Sequence, residues 1–357
     1  MSRTPVEIGD HLVGDGHPCF ITFEAGPTHS GIDSAKELAR HAAQAGASAV
    51  KFQIVDPDRL VADRKLPFSY DVLVDRETGR TETVTEPLYD ILCRRTLSER
   101  EWRDLKAYCD GLGLAFFCTI VFEEEIDLVV AMGCHSIKIA SADLNHTPLL
   151  RRAARTGLNI QLDTGNGTIG EVETAIDVVR REGNENIVIH HCPSGYPARL
   201  ESINLRVITS LRQMFSYPIA YSDHTPGWDM DIAAVALGAS VVEKTITLDR
   251  TTRAVEHIMS LEPADMSRFV RAIRDLETAL GSPRRILHPQ EIEKRRGMRR
   301  SMYLREAVRA GTKLSEAVID FRRPGFGIGP DLYDTLSSLA FKVDLPAGHR
   351  VAVTDLG

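Results

Sequence analysis

Two lysines of this sequence lie inside apolar stretches that are typical of buried strands. Lys51 is part of AVKFQ and Lys138 is part of SIKIAS. A buried ammonium group without a partner is costly, so each lysine needs an anion beside it. Carboxylates of the chain, such as Glu24 and Glu243, are one source of that anion, and a bound phosphate or carboxylate ligand is the other. Three serines in similar positions offer hydroxyl donors to such a ligand: Ser141, Ser194 and Ser222.

A buried lysine with a lowered pKa can also form a Schiff base with a carbonyl substrate, which is the chemistry of one class of aldolases. Two lysines together suit the binding of a dianion better than they suit imine formation. Lyase chemistry through an imine is therefore the weaker hypothesis.

The lysines belong to a larger set of polar residues at the predicted carboxyl ends of strands. Strand-like and helix-like segments alternate through residues 1–281, and eight such units predict a closed (β/α)₈ barrel. An open doubly wound sheet is the competing fold, but the sequence has no early glycine-rich dinucleotide turn. In a barrel these strand ends share one mouth. The polar residues expected there are Glu24, Lys51, Gln53, Thr119, Lys138, Ser141, Asp143, Asp163, Thr164, Ser194, Tyr196, Ser222, Asp223, His224, Glu243 and Thr245.

Three segments depart from the regular barrel pattern. Residues from about 54 to 95 form a polar insertion that is too long for an ordinary connection, so we expect it to be functional. Residues 282–297 are predicted to form a linker, and residues 298–357 a small separate domain. Basic residues cluster between positions 284 and 300, either as a solvated segment or as an arm near an anionic site.

Composition excludes several classes of function. The net charge of -7 argues against the basic surface that nucleic-acid binding needs. The sequence contains no apolar run long enough to span a membrane and no N-terminal signal-peptide pattern. We therefore expect a cytoplasmic protein that binds neither nucleic acid nor membrane.

Eight short motifs follow one another along the chain. They are EAGPTHSG from Glu24, VKFQ from Val50, KIASAD from Lys138, LDTG from Leu162, HCPSGYP from His191, YSDHT from Tyr221, EKTITLDR from Glu243 and RRPGFGIGP from Arg322. In this combination the chain resembles the sialic acid synthases, a family that includes enzymes making N-acetylneuraminic, legionaminic and pseudaminic acids. The last motif resembles the antifreeze-like (SAF) domain that follows the barrel in that family. The resemblance covers nearly the whole chain and implies a TIM barrel with a small C-terminal antifreeze-like domain.

The resemblance also implies a reaction and residues for it. Carbon C3 of phosphoenolpyruvate would attack the aldehyde of an open-chain sugar related to N-acetylmannosamine, water would add to the oxocarbenium carbon, and phosphate would leave. The residues expected to bind phosphoenolpyruvate are Lys51, Gln53, Thr119, Lys138, Ser141, Ser194 and Ser222. The catalytic candidates are Glu24, Asp143 and His224. The residues expected to bind the sugar are Tyr196, Glu243, Glu256 and Arg323.

A domain-swapped homodimer is part of what the resemblance implies. In such enzymes the antifreeze-like domain covers the barrel of the other subunit. Arg323 would then reach the sugar site of that subunit as a forked donor.

Four positions differ from the family pattern. Thr245 stands where the family has a histidine that binds a metal together with the SDHT histidine, here His224. Because threonine is a poor ligand, we expect weak or non-standard binding of Mn²⁺ or Mg²⁺ through His224, unless Glu256 and His257 compensate. The other three differences are Asp163 for a serine near the phosphate, Thr28 for an asparagine, and Asp143 for a glutamate. A carboxylate at position 163 would repel phosphate unless it is reoriented or paired with a lysine.

The sequence thus supports one leading hypothesis and two alternatives. The leading one is a phosphoenolpyruvate-dependent transferase that makes a nonulosonic, sialic-acid-like 3-deoxy-2-keto acid. The first alternative is a catalytically silent barrel that binds an anionic sugar, which Thr245 and Asp163 would suit. The second is a different carbon–carbon lyase on a TIM barrel.

Overall fold

The computed structural model describes residues 3–357, which divide into two compact units, one ending at Gly281 and one spanning Ser282–Gly357. The first unit contains a closed barrel of eight parallel strands, each hydrogen-bonded to its neighbours in sequence order and the last to the first. This confirms the predicted (β/α)₈ barrel. Numbered from the first to the eighth, the barrel strands are Phe20–Glu24, Ala49–Gln53, Ala115–Ile120, Ser136–Ile139, Asn159–Asp163, Ile187–His191, Ile219–Asp223 and Val241–Thr245.

Eight main helices follow the strands and cover the outside of the barrel. They are Ile32–Ala45, Glu99–Gly111, Glu125–Ala131, Thr147–Arg155, Ile169–Arg181, Arg206–Met214, Asp229–Ala236 and Pro263–Leu280. Ser98 and Glu101 form the capping box predicted from the sequence, and the pair satisfies backbone groups at the start of the second of these helices.

Alternation along each strand decides which side chains face the helices. In the first strand Ile21 and Phe23 belong to the large apolar layer between strands and helices, with Val50 and Phe52 of the second strand. Successive side chains of a strand point to opposite faces. The intervening residues, such as Glu24 and Lys51, therefore face the barrel interior.

One end of the barrel interior is filled by apolar side chains. Phe20, Phe117 and Val241 form a buried cluster there with residues of a short N-terminal hairpin, Val6–Ile8 and His11–Val13. The amino ends of the strands are thereby closed, which leaves the carboxyl ends as the open mouth.

The insertion after the second strand has a defined structure. It contains the antiparallel hairpin Pro67–Leu73 and Thr81–Pro87, flanked by the short helices Pro57–Leu60 and Leu88–Cys93. Another short helix, Leu200–Ile203, follows the sixth strand. The insertion supplies apolar residues to the barrel mouth, as described below.

The second unit is small and has its own core around Met302, Phe341 and Val351. Strands Ser301–Leu304 and Ile319–Arg322 pair antiparallel within it, and Tyr333–Leu336 is a short helix. Helix Pro289–Met298 occupies much of the segment that the sequence analysis assigned to a linker, and none of its residues is buried. Within residues 3–357, no helix combines the length and the apolar character needed to cross a membrane.

Candidate active site

A cavity of about 310 Å³ opens among the carboxyl ends of the barrel strands. Apolar residues of the insertion, including Leu60 and Phe68, form part of its wall. The polar residues that line it come from most of the barrel strands or the loops that follow them. Those expected from the sequence to lie at the mouth or to bind the sugar are Glu24, Lys51, Gln53, Thr119, Ser141, Asp163, Tyr196, His224, Glu243 and Glu256.

Lys51 and Lys138 form one buried ionic network with three carboxylates. Glu243 accepts from Lys51 at 2.5 Å and from Lys138 at 2.8 Å. Glu24 pairs with Lys51, and Asp163 lies 2.9 Å from Lys138. The carboxylates considered in the sequence analysis as partners of the lysines do fill that role. Lys51 also lines the cavity, whereas Lys138 is fully buried beneath it.

The electrostatic interactions within this network favour the charged forms of Glu243 and Lys138. Burial alone would raise the pKa of Glu243, but the ammonium groups of Lys138 and Lys51 outweigh burial and hold that pKa well below its usual range. Burial alone would lower the pKa of Lys138, but Asp163 and Glu243 raise it. The network thus contains two cations and three acidic residues before any substrate is present.

His190 and Ser222 complete the surroundings of Lys138. Nδ1 of His190 lies 3.0 Å from Nζ of Lys138, and Oγ of Ser222 lies 3.3 Å from it. Burial, followed by the charge of Lys138, lowers the pKa of His190 to about 3, so this imidazole is neutral. Its Nε2 lies 2.8 Å from Oε1 of Gln161 and is therefore the protonated nitrogen.

Ser141 and Ser194 meet at Gly165, at the end of the fifth strand. A Cβ atom at position 165 would lie only 2.6 Å from Oγ of Ser141 and 3.2 Å from Oγ of Ser194. Only glycine, which has no Cβ atom, therefore leaves room for both hydroxyl groups beside position 165. Ser194 donates to Asn166 at 2.9 Å, and Asn166 also lines the cavity.

Another part of the cavity wall contains His224, Tyr196 and Glu256. Nδ1 of His224 donates to the carbonyl oxygen of Pro193 at 3.0 Å, which leaves Nε2 without a part in this contact. The rings of Tyr196 and His224 are in contact, with centroids 4.6 Å apart. Burial raises the pKa of Glu256, against the opposing effects of His224 and Arg95.

Comparisons with known proteins identify the family. The NeuB family model matches residues 38–285. The chain belongs to the NeuB family. It is 34% identical to the N,N'-diacetyllegionaminic acid synthase of Legionella pneumophila, with 94% of each chain covered. It is 31% identical to the human N-acetylneuraminate-9-phosphate synthase, over 85% of this chain and 82% of the human one.

Solved structures agree with this placement in the NeuB family. The N-acetylneuraminic acid synthetase of Leptospira borgpetersenii, solved with citrate, superposes with a TM-score of 0.71 at 27% identity, covering 82% of this chain and 95% of that one. A truncated 3-deoxy-D-arabino-heptulosonate 7-phosphate synthase of Thermotoga maritima has a TM-score of 0.60 at 16% identity, over 78% of this chain and 94% of that one. The second likeness shows a shared barrel fold.

The metal ligands implied by the resemblance to NeuB enzymes are incomplete in this chain. Thr245 is buried at the end of the eighth strand, where it pairs in register with Glu24. Among residues 3–357, no group of three histidine, cysteine, aspartate or glutamate side chains is arranged to hold a metal ion. His257, considered as a replacement ligand, is buried, and its Nδ1 is hydrogen-bonded to Oγ1 of Thr247 at 2.7 Å. These residues therefore do not form the two-histidine site.

Five of the predicted site residues do not line the cavity. Lys138 and Ser222 lie beneath it, and Ser194 reaches it only through Asn166. Asp143 sits in the turn Ser141–Asp143, where burial raises the pKa of its carboxyl group. Arg323 belongs to the second unit, where its side chain is exposed.

Sequence reasoning missed His190 and Arg95 in this NeuB-family site. His190 could have been found. It lies in the strand IVIHH, and its register partner in the neighbouring strand is Asp163, a residue of the mouth. Arg95 follows the insertion helix Leu88–Cys93 and carries no strand-end signal. Only the folding of the insertion back over the barrel brings Arg95 to the cavity.

Proposed function

We propose that this chain condenses phosphoenolpyruvate with the aldehyde of an open-chain amino sugar, giving a nonulosonic 3-deoxy-2-keto acid and phosphate. The observation that carries the proposal is the pair of lysines at the floor of the barrel-mouth cavity, in a member of the NeuB family. The family and its named synthases make the chain an enzyme of the phosphoenolpyruvate-dependent condensing class.

The lysine network suggests how phosphoenolpyruvate would be held. Its phosphate and carboxylate groups would take over contacts that Lys51 and Lys138 now make with Glu24, Glu243 and Asp163. Hydroxyl groups of Ser141 and Ser194, which meet at Gly165, would donate to the phosphate oxygens. Such exchange of internal carboxylates for ligand anions keeps the buried ammonium groups paired throughout.

Carbon–carbon bond formation would follow at the sugar end of the cavity. As C3 of phosphoenolpyruvate attacks the aldehyde carbon, the aldehyde oxygen gains negative charge and needs a proton. Glu256 is suited to supply it, because burial raises its pKa and it lines the cavity beside His224. Glu24, which lines the cavity, would take a proton from the water that adds to C2, after which phosphate leaves with the C2 oxygen of phosphoenolpyruvate.

The decisive experiment incubates the protein with phosphoenolpyruvate and a panel of 2-acetamido aldoses, and follows both inorganic phosphate and product mass. We expect phosphate release that depends on the sugar, with a product mass equal to sugar plus pyruvate. Lys138→Met should abolish release. Lys106→Met is the matched control, because Lys106 is a largely buried lysine that pairs with Asp110 on an outer helix. Absence of sugar-dependent release with every aldose would overturn the proposal.

A silent binding barrel is the second candidate, and one observation favours it. Lys138 is already paired with Asp163 and Glu243, so the site is neutralised from within. A protein of this kind would bind an anionic sugar tightly in calorimetry and release no phosphate, with or without added Mn²⁺.

We further propose that the active form is a domain-swapped homodimer in which Arg323 of the partner subunit completes the sugar site. The support is the exposed position of Arg323 in a small separate unit, together with the family resemblance of its RPGFG motif. Mixing inactive Lys51→Met protein with inactive Arg323→Ala protein, under conditions of subunit exchange, should restore activity. Failure to restore it after confirmed exchange would contradict the shared site.

A further inference from the structure

A second cavity, of about 340 Å³, lies next to the barrel mouth, and its lining is cationic. Arg94, Arg95 and Arg253 line it, and none of the lining residues, all of which fall within positions 27–257, is an aspartate or glutamate. This is unusual in a chain whose net charge is -7. A concave site with several cationic donors and no acid favours an anionic ligand.

Two buried donor groups in this cavity lack partners. Nε and Nη1 of Arg95 are inaccessible to solvent and have no hydrogen-bond partner among residues 3–357. Nε2 of His29 is in the same condition. Glu256 influences the Arg95 guanidinium through space, but it accepts no hydrogen bond from these two nitrogens. Buried polar groups in folded proteins are nearly always hydrogen-bonded, so unpartnered donors on two residues that line one cavity point to an absent acceptor.

The protonation of His29 makes Nε2 a donor. Nδ1 of His29 accepts a hydrogen bond from the backbone N–H of Gly31 at 3.3 Å. Burial, followed by the charge of Arg95, lowers the pKa of His29 to about 4, so the ring is neutral near pH 7. Because Nδ1 is the acceptor, the single ring proton resides on Nε2.

The other two arginines of the cavity are already engaged. Arg94 makes a double contact with Glu86, at 2.9 Å from Nη1 and 2.5 Å from Nη2. Arg253 lies 3.2 Å from Glu82. Arg95 is therefore the arginine of this cavity whose guanidinium has donors to spare.

Arg95 also lines the barrel-mouth cavity, together with Ile91 and Val255. A ligand whose aldehyde end lies in the mouth can therefore place another group against the same guanidinium. We propose that Arg95 and His29 form an anion subsite that binds a phosphate or carboxylate group carried by the acceptor sugar. The assignment to the acceptor rests on the proposed condensation, whereas the anion subsite itself does not.

The first test is direct binding of inorganic phosphate, measured by calorimetry. Phosphate is also a product of the proposed reaction and can therefore bind at the phosphoenolpyruvate site as well. The readout is the component of phosphate binding that depends on Arg95. We expect Arg95→Gln to weaken this component at least tenfold and Arg95→Lys to retain part of it. Arg103→Gln is the matched control, because Arg103 is an exposed arginine paired with Glu99 and lines neither cavity. Equal phosphate binding by the wild type and Arg95→Gln would overturn the subsite.

Thermal unfolding guards against misfolding of the variant. Two buried guanidinium nitrogens without hydrogen-bond partners within residues 3–357 destabilise the free protein, so Arg95→Gln should unfold at the same or a higher temperature than the wild type without ligand. Phosphate should raise the unfolding temperature of the wild type more than that of the variant. A ligand-free variant that unfolds well below the wild type would show that Arg95 is a structural residue, against the proposal.

The second test assigns the anion to the acceptor. With phosphoenolpyruvate saturating, KM is measured for N-acetylmannosamine and for its 6-phosphate. We expect a lower KM for the phosphorylated sugar, and Arg95→Gln should raise that KM at least tenfold, by a larger factor than it raises KM for the neutral sugar. Arg95-dependent binding of phosphate without any preference for the phosphorylated sugar would overturn the assignment to the acceptor. If no sugar turns over at all, the proposed condensation fails, and the phosphate titration still decides the subsite.

Discussion

The ammonium groups of Lys51 and Lys138 are joined by one carboxylate, with Oε1 of Glu243 2.5 Å from the first and Oε2 2.8 Å from the second. Glu24 and Asp163 add one further carboxylate on either side. The floor of the barrel mouth is therefore a continuous ionic chain across the first, second, fourth, fifth and eighth strands. An anionic substrate must compete with this chain for the lysines.

Glu243→Gln should destabilise the fold by about 3 kcal/mol, because removing one member of a buried ion pair leaves charge uncompensated. Lys51 and Lys138 each keep one other carboxylate partner, which limits the loss. Urea unfolding followed by circular dichroism measures it. Glu99→Gln, which removes an exposed partner of Arg103, should cost well under about 1 kcal/mol. Equal effects of the two substitutions would show that the network contributes no more than a surface pair.

Asp163→Ser should lower KM for phosphoenolpyruvate, by roughly tenfold, because it removes a negative charge 2.9 Å from Nζ of Lys138. The effect should shrink as ionic strength rises, although less than for an exposed charge. Steady-state kinetics at two salt concentrations measure it. Asp127→Asn, an exposed carboxylate paired with Arg152, serves as the control and should leave KM unchanged. A higher KM in Asp163→Ser would mean that Asp163 helps to bind the substrate.

Divalent metal binding should be weak in the wild type and stronger in Thr245→His. Asp223 and Lys244 are in register between the seventh and eighth strands, so the next residues, His224 and Thr245, lie side by side at the mouth. A histidine at position 245 would add a second imidazole ligand. Elemental analysis of purified protein, with and without chelator treatment, measures the metal. Stoichiometric, tightly held Mn²⁺ in the wild type would contradict this prediction.

Glu125 should make stability depend on pH. Burial raises the pKa of this carboxyl group from 4.5 to about 7, although Oε2 accepts from the backbone N–H groups of Val121 and Phe122. Because the folded pKa is raised, the stabilising contribution is present below about pH 4.5 and is lost as pH rises through about 7.

Glu125→Gln should remove this dependence. One pKa unit corresponds to about 1.4 kcal/mol, and partial exposure screens part of the effect. We therefore expect the wild type to lose roughly 2 kcal/mol relative to the variant across this range. Denaturant unfolding at several pH values measures it, with Glu173→Gln on the exposed face of the fifth main helix as control. A difference in the free energy of unfolding between wild type and Glu125→Gln that does not change with pH would contradict the prediction.

The barrel and most of the mouth residues could be predicted from local features of the chain. Strand–helix alternation requires only short-range periodicity, and Lys51, Glu243 and His224 follow from the rule that parallel strands end at one mouth. The motifs from Glu24 to Arg322 identified the family, which the comparisons confirmed. The same local reasoning assigned a linker to residues 282–297. The exposed helix Pro289–Met298 in this segment has no apolar face from which a helix could be predicted.

The amino-acid sequence by itself determined which side chains stand at the strand ends and that two of them are lysines needing anions. Only the tertiary structure decided which anions they are: closure of the barrel places Glu243 between Lys51 and Lys138, although the three lie on strands far apart in sequence. Likewise, Arg95 and His29 line one cavity because the insertion folds back over the first strand's loop. Contacts of this kind depend on side-chain direction and long-range closure, which short-range patterns do not encode.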